Sequence, residues 1–148
     1  MSASGAVTFK SAPNFEAPTD SGADNVYNVI VNASDGSLTA TQAVAITVTA
    51  VNEVPAITSA ATASFAENGT GTAYQIVATD PDAGTTLTYS LTGIDADLFD
   101  VSASGAVTFK SAPNFEAPTD NGGNNVYDVT VNASDGSLTA TQAVAITV

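Results

Sequence analysis

Residues 2–48 recur at 102–148, one hundred positions later, and the two copies differ at only five of 47 places: 21/121, 23/123, 24/124, 28/128 and 30/130. A repeat of about 100 residues is the size of one β-sandwich domain, far longer than the 20–50 residues of a solenoid unit. The chain therefore reads as a window on a tandem array. It holds the C-terminal half of one repeat (residues 1–48, its last three strands), a linker at 49–55 and one complete repeat at 56–148. Arrays of near-identical domains supply reach and stiffness rather than chemistry. Met1 runs directly into mid-domain sequence, so a secretion signal or anchor is expected outside these residues.

Fifteen Asp and Glu stand against two lysines, Lys10 and Lys110, for a formal net charge of −13. Such a surface repels nucleic acid and anionic membrane, both of which need a basic face. The same carboxylates attract hard divalent cations, which take oxygen ligands. Without His, Cys or Trp the chain has no zinc site, no Ser-His-Asp or Cys-His nucleophile pair and no indole platform for a sugar ring. The expectation is that it is not an enzyme. The lack of cysteine argues against a disulfide scaffold and leaves secretion open, since extracellular domains also use calcium. No run of 18 apolar residues predicts a membrane span.

The segment Val126-Tyr127-Asp128-Val129-Thr130-Val131-Asn132-Ala133 alternates, with Tyr127, Val129, Val131 and Ala133 on one face, as a half-buried strand does. Residues 143–148 alternate likewise after the turn Ser134-Asp135-Gly136-Ser137. Upstream, residues 75–78, 87–91, 99–101 and 106–109 are short β-rich runs bounded by Asp, Gly, Pro and Ser, and a first strand is expected near 56–65. About seven strands in one repeat predict an all-β, seven-stranded antiparallel Greek-key sandwich of the immunoglobulin-like kind.

Five motifs in order resemble the cadherin-type repeats, in particular the bacterial cadherin-like repeats of large surface adhesins. They are Phe65-Ala66-Glu67-Asn68-Gly69, Asp80-Pro81-Asp82-Ala83-Gly84, Tyr89-Ser90-Leu91, Asn114-Phe115-Glu116 and Ala133-Ser134-Asp135-Gly136. The linker Val51-Asn52-Glu53-Val54-Pro55 looks like a shortened cadherin interdomain segment. The resemblance implies calcium, bound by loop oxygens where two sandwiches meet.

Carried over by position, it implies that the junction in this chain uses Asn14 and Glu16 from the half repeat and Asn52 and Glu53 from the linker. Asp80, Asp82 and Asp135 would come from the complete repeat, and Glu67 and Glu116 would serve a following junction. The sequence departs from the family pattern at Ala50, Glu53 and Asn14, each where the family has Asp, and the linker is one residue short. One or two ions are therefore expected, fewer than in a full cadherin junction. The residues alone also allow Asp80-Pro81-Asp82 and Asp135-Gly136 to be turns and Glu53 a solvated linker charge. Asp20, Asp95, Asp97 and Asp120 read as solvated loop acids, and Tyr74 and Tyr89 as core or rim residues rather than a carbohydrate platform.

The leading functional expectation is a calcium-binding extender or adhesion repeat of a large bacterial cell-surface or secreted protein. The alternative is a carbohydrate-binding or homophilic cell-adhesion module. Expected partners are calcium, neighbouring repeats and another copy through residues 2–48. Residues 102–148 are expected to complete the sandwich, because strands of about 25–30 Å separate the poles that residues 49–54, reaching about 20 Å, would have to join.

Overall fold

A computed structural model describes residues 5–148. The chain divides into two compact units, residues 1–52 and 53–148.

In the first unit two strands form, β1 (Val26–Ser34) and β2 (Thr39–Thr47), paired antiparallel from Val26↔Thr47 to Ser34↔Thr39. The β-branched alternation of Val29 and Val31 facing Val44 and Ile46 drives this pairing. The turn is closed by Asp35, whose Oδ1 accepts the N–H groups of Ser37 and Leu38 at 2.8 and 2.7 Å. Of the three strands expected in residues 1–48, the first does not form: residues 5–9 have no strand structure. Residues 1–4 of that segment lie outside the described residues.

The second unit contains β3 (Ala56–Ile57), β4 (Thr62–Ser64), β5 (Thr72–Gln75), β6 (Ala78–Thr79), β7 (Thr88–Thr92), a 3₁₀ turn (Ala96–Leu98), β8 (Phe99–Val101), β9 (Ala106–Phe109), β10 (Val126–Ser134) and β11 (Thr139–Thr147). One face of the sandwich is the sheet β4-β11-β10-β7, in which β4 runs parallel to β11; the other is β5-β9-β8 with the ribbon β3-β6. Two of the expected strands are interrupted. The run expected at 56–65 divides into β3 and β4, one for each face. The run expected at 75–78 breaks between β5 and β6, where Ile76 turns inward and its N–H bonds the Gly105 carbonyl at 2.9 Å. Gly105 has φ +81°, and a Cβ there would sit 2.9 Å from the Ile76 carbonyl oxygen, so only glycine permits this approach. With the halves joined, the sandwich has seven strands, and the all-β fold is the one expected.

The core forms where the alternating faces meet. Tyr127, Val131, Ile146 and Val107 are fully buried. Phe109 stands edge-on to Tyr127 at 4.9 Å between ring centroids and 4.3 Å from Phe99. Such aromatic pairs add about 0.5–1.5 kcal/mol beyond the area they bury.

A candidate calcium site and its supporting loops

The 80–82 loop of the second unit meets Glu53 at the start of the repeat. Asp80-Pro81-Asp82 leaves β6, and the Asp80 side chain folds back so that its Oδ1 accepts the Asp82 N–H at 2.8 Å. This is the local Asx geometry that Asp and Pro favour. Asp82 Oδ2 in turn accepts the main-chain N–H of Glu53 at 2.9 Å, across 29 residues. Carboxylate oxygens of Glu53 and Asp82 lie within 4.8 Å of one another. Two like charges this close repel unless a cation or a donor lies between them. The second oxygen of Asp80 is buried and has no hydrogen-bond donor.

A buried carboxylate oxygen without a donor is costly, and a hard cation is the ligand that compensates it. The donor set is all oxygen, as calcium requires. Asp80, Asp82 and Glu53 thus offer the oxygen chemistry that calcium takes, and the carboxylates of Asp82 and Glu53 are close enough to share one ion.

The remaining candidates occupy other places. Asp135 stands in the β10–β11 turn, where its Oδ1 accepts the N–H groups of Ser137 and Leu138, both at 2.6 Å. The turn role weighed for it in the sequence is therefore filled by Oδ1. Glu67 meets the 114–116 loop: its Oε2 accepts the Phe115 N–H at 3.2 Å, and the neighbouring Asn68 N–H bonds the Pro113 carbonyl at 2.7 Å. Glu116 is carried by the same loop, held by its N–H to Asn114 Oδ1 at 3.0 Å. Glu67 and Glu116 are so brought to one end of the unit although 49 residues separate them. In the first unit, Asn14 Oδ1 accepts the N–H groups of Glu16 and Ala17 at 2.8 and 3.2 Å, which is the local turn that presents Glu16. Asn52 ends that unit.

Two acids expected to be solvated are buried instead. Asp95 is 3% exposed and clamps two segments: Oδ1 accepts the Asn121 N–H and Oδ2 the Asp128 N–H, each at 2.8 Å. Asp120 is buried too, with Oδ2 accepting from Asn124 and Oδ1 from Asn125, both at 3.0 Å. Partial burial raises the Asp120 pKa, but the main-chain donors of Asn124 and Asn125 outweigh it and hold the carboxyl below its usual range. Asp20 repeats this in the first unit, accepting from Gly22, Asp24 and Asn25, and is lowered against the same opposing burial. These loop carboxylates organise backbone. The sequence signal for them is the neighbouring Asn125, which takes a left-handed φ of +62° and turns its N–H to Asp120. Asp97, by contrast, is exposed as expected.

Tyr74 is buried with its hydroxyl donating to Ser59 Oγ at 2.8 Å, and Tyr89 is partly buried against the core. Tyr74, 6% exposed, offers no stacking face to a sugar. Among the described residues no helix is long and apolar enough to cross a membrane.

Solved structures share this architecture. Mouse cadherin-23 EC22-24 matches with a TM-score of 0.62 at 24% identity over 88% of this chain, which spans 44% of that chain. Human protocadherin-24 EC1-2 gives 0.62 at 18% identity, covering 93% of this chain and 68% of that one. The fold is a cadherin-like β-sandwich. A third such structure, Drosophila N-cadherin EC1-4, gives 0.59 at 22% identity, covering 90% of this chain and 33% of its own. No protein-family model matches the sequence. No curated protein matches it either.

Proposed function

We propose that this chain is a calcium-binding extender and adhesion repeat of a large bacterial cell-surface or secreted protein. Calcium sits where two repeats adjoin and stiffens the array. Its ligands are Asp80, Asp82, Glu53 and Asn52, joined by Asn14 and Glu16 of the preceding half repeat and by Asp135. Glu67 and Glu116 serve a following repeat. No catalytic chemistry enters this reading.

The observation that carries it is the buried, donorless Oδ2 of Asp80 beside Asp82, whose other partner is the linker residue Glu53. A cation there neutralises a carboxylate cluster, and because Glu53 belongs to the linker, the same ion restrains the segment between repeats. Binding to the folded form alone converts ion affinity into stability.

Residual dipolar couplings test the mechanical half of this claim. In calcium, amides of residues 26–47 and 126–147 should fit one alignment tensor; in chelator they should need two. One tensor in both conditions, or two in both, contradicts a calcium-stiffened junction.

A further inference from the structure

Two asparagines precede a glycine, Asn68 and Asn121, and both are exposed. In Asn-Gly the following main-chain nitrogen reaches the side-chain amide most readily, because glycine places no Cβ in its way. Exposure does not separate the two sites; the state of that nitrogen does.

At Asn68 the nitrogen is held. The Gly69 N–H donates to the Ala66 carbonyl at 3.1 Å, and the Asn68 N–H to the Pro113 carbonyl at 2.7 Å. Asn68 itself stands at φ +57°. The Gly69 Cβ position lies 2.8 Å from the Ala66 oxygen and 3.0 Å from the Phe65 ring, which packs against the core, so this turn has no room to rotate.

At Asn121 the chain is tied on either side of the reacting pair but not within it. The Asn121 N–H donates to Asp95 Oδ1 at 2.8 Å, and the Gly123 N–H closes the turn on the Asp120 carbonyl at 3.2 Å. Between these bonds the Gly122 N–H has no acceptor among the described residues. Gly122, Gly123 and Asn124 are all exposed, and the Gly123 Cβ position meets open space, so the main chain can rotate here. The first unit carries Ser21 at this place, and its Gly22 N–H is engaged, donating to Asp20 Oδ2 at 3.0 Å.

We propose that Asn121-Gly122 is a self-modification site, at which the folded chain converts Asn121 to aspartate and isoaspartate with water as the only reactant. The Gly122 nitrogen bonds to Cγ of Asn121 as its proton passes to solvent. The Cγ–Nδ2 bond breaks, and the departing nitrogen takes up a proton and leaves as ammonia. Water then opens the cyclic imide at either carbonyl. Both products add a negative charge to a loop that already carries Asp120 and is clamped by Asp95. Isoaspartate also lengthens the main chain inside the Asp120–Gly123 turn. Ser21 has no side-chain amide, so a repeat with Asn at this place ages and one with Ser does not. This inference does not depend on calcium.

The test incubates the full chain at mildly alkaline pH, folded in buffer and unfolded in urea, and follows each asparagine by mass spectrometry of its peptides through the amide-to-acid mass change. In urea Asn68 and Asn121 should react at similar rates. In the folded chain Asn121 should keep close to its urea rate, whereas Asn68, whose Gly69 hydrogen bond must first break, should slow by about tenfold. Amide exchange at Gly123 should be faster in the aged chain than in the fresh one, and Asn121→Ser should abolish that change. A folded chain in which Asn121 is slowed as much as Asn68 overturns the inference. So does an aged Asn121→Ser chain in which exchange at Gly123 still accelerates.

Discussion

The main-chain N–H of Glu53 donates to Asp82 Oδ2 at 2.9 Å, so a linker residue is held by a loop 29 positions further on. Asp82 in turn donates its own N–H to Asp80. The three residues form one chain of hydrogen bonds from the linker into the second unit. Any ion bound by these carboxylates acts on the linker's position directly.

Replacing Asp80 and Asp82 together with Ala should therefore abolish most of the heat of calcium binding in a calorimetric titration, because it removes the donorless oxygen and its neighbour. Asp97→Ala, on an exposed acid outside the cluster, should leave the heat nearly unchanged. Equal losses from both would mean that the net charge of −13 gathers ions diffusely.

Asp95→Ala should destabilise the second unit by about 1–3 kcal/mol, since it removes the acceptor of the partly buried N–H groups of Asn121 and Asp128. Asp95→Asn keeps one acceptor and should lose less. Urea unfolding of both variants checks the order.

The loop carboxylates set an acid limit. Asp20 and Asp120 have folded pKa values below the ordinary Asp value of about 3.9. Their ionised forms thus contribute stability that is complete above that value and lost as pH falls through the folded pKa. Carbon-detected NMR titration should place both carboxyl midpoints below about 3.9, and exchange at the Asn125 amide should accelerate over the same interval. Midpoints at or above about 3.9 would contradict the role of the main-chain donors.

The two copies show how much of the fold sequence carries and where it stops. The Asp35 and Asp135 turns are the same in both units, and so is the Thr19–Tyr27 bond matched by Thr119–Tyr127, because their partners lie within a few residues. Residues 106–109 form β9 between β5 and β8, whereas the identical residues 6–9 form no strand. Period-two alternation is present in both, but a strand needs neighbours to pair with, and among the described residues only the second copy has them. The breaks in the 56–65 and 75–78 runs were illegible for the same reason. Gly105 makes the second break possible from 29 residues away. The acids followed this division too: Asp80-Pro81-Asp82 announces itself locally, while the burial of Asp95 depends on Asn121 and Asp128, 26 and 33 residues further along the chain.

Position 123 gives a sharper local test. Gly123 has φ +60°, and Ala23 adopts φ +50° at the same place in the first unit. A left-handed alanine is disfavoured by roughly 1–2 kcal/mol, partly offset by glycine's greater freedom when unfolded. Gly123→Ala should cost the second unit about 1 kcal/mol in urea unfolding and leave the loop's hydrogen bonds intact, as Ala23 does in its own copy.

Thermal unfolding of the wild-type chain in calcium and in chelator tests the central claim most directly. Free calcium at about 100 times its dissociation constant stabilises the folded form by roughly 2.7 kcal/mol, which raises the melting temperature of a domain of this size by several degrees. Chelator should lower the melt, calcium should restore it, and the Asp80→Ala/Asp82→Ala chain should melt alike in both. Identical melting temperatures for the wild-type chain with calcium and with chelator would contradict the account.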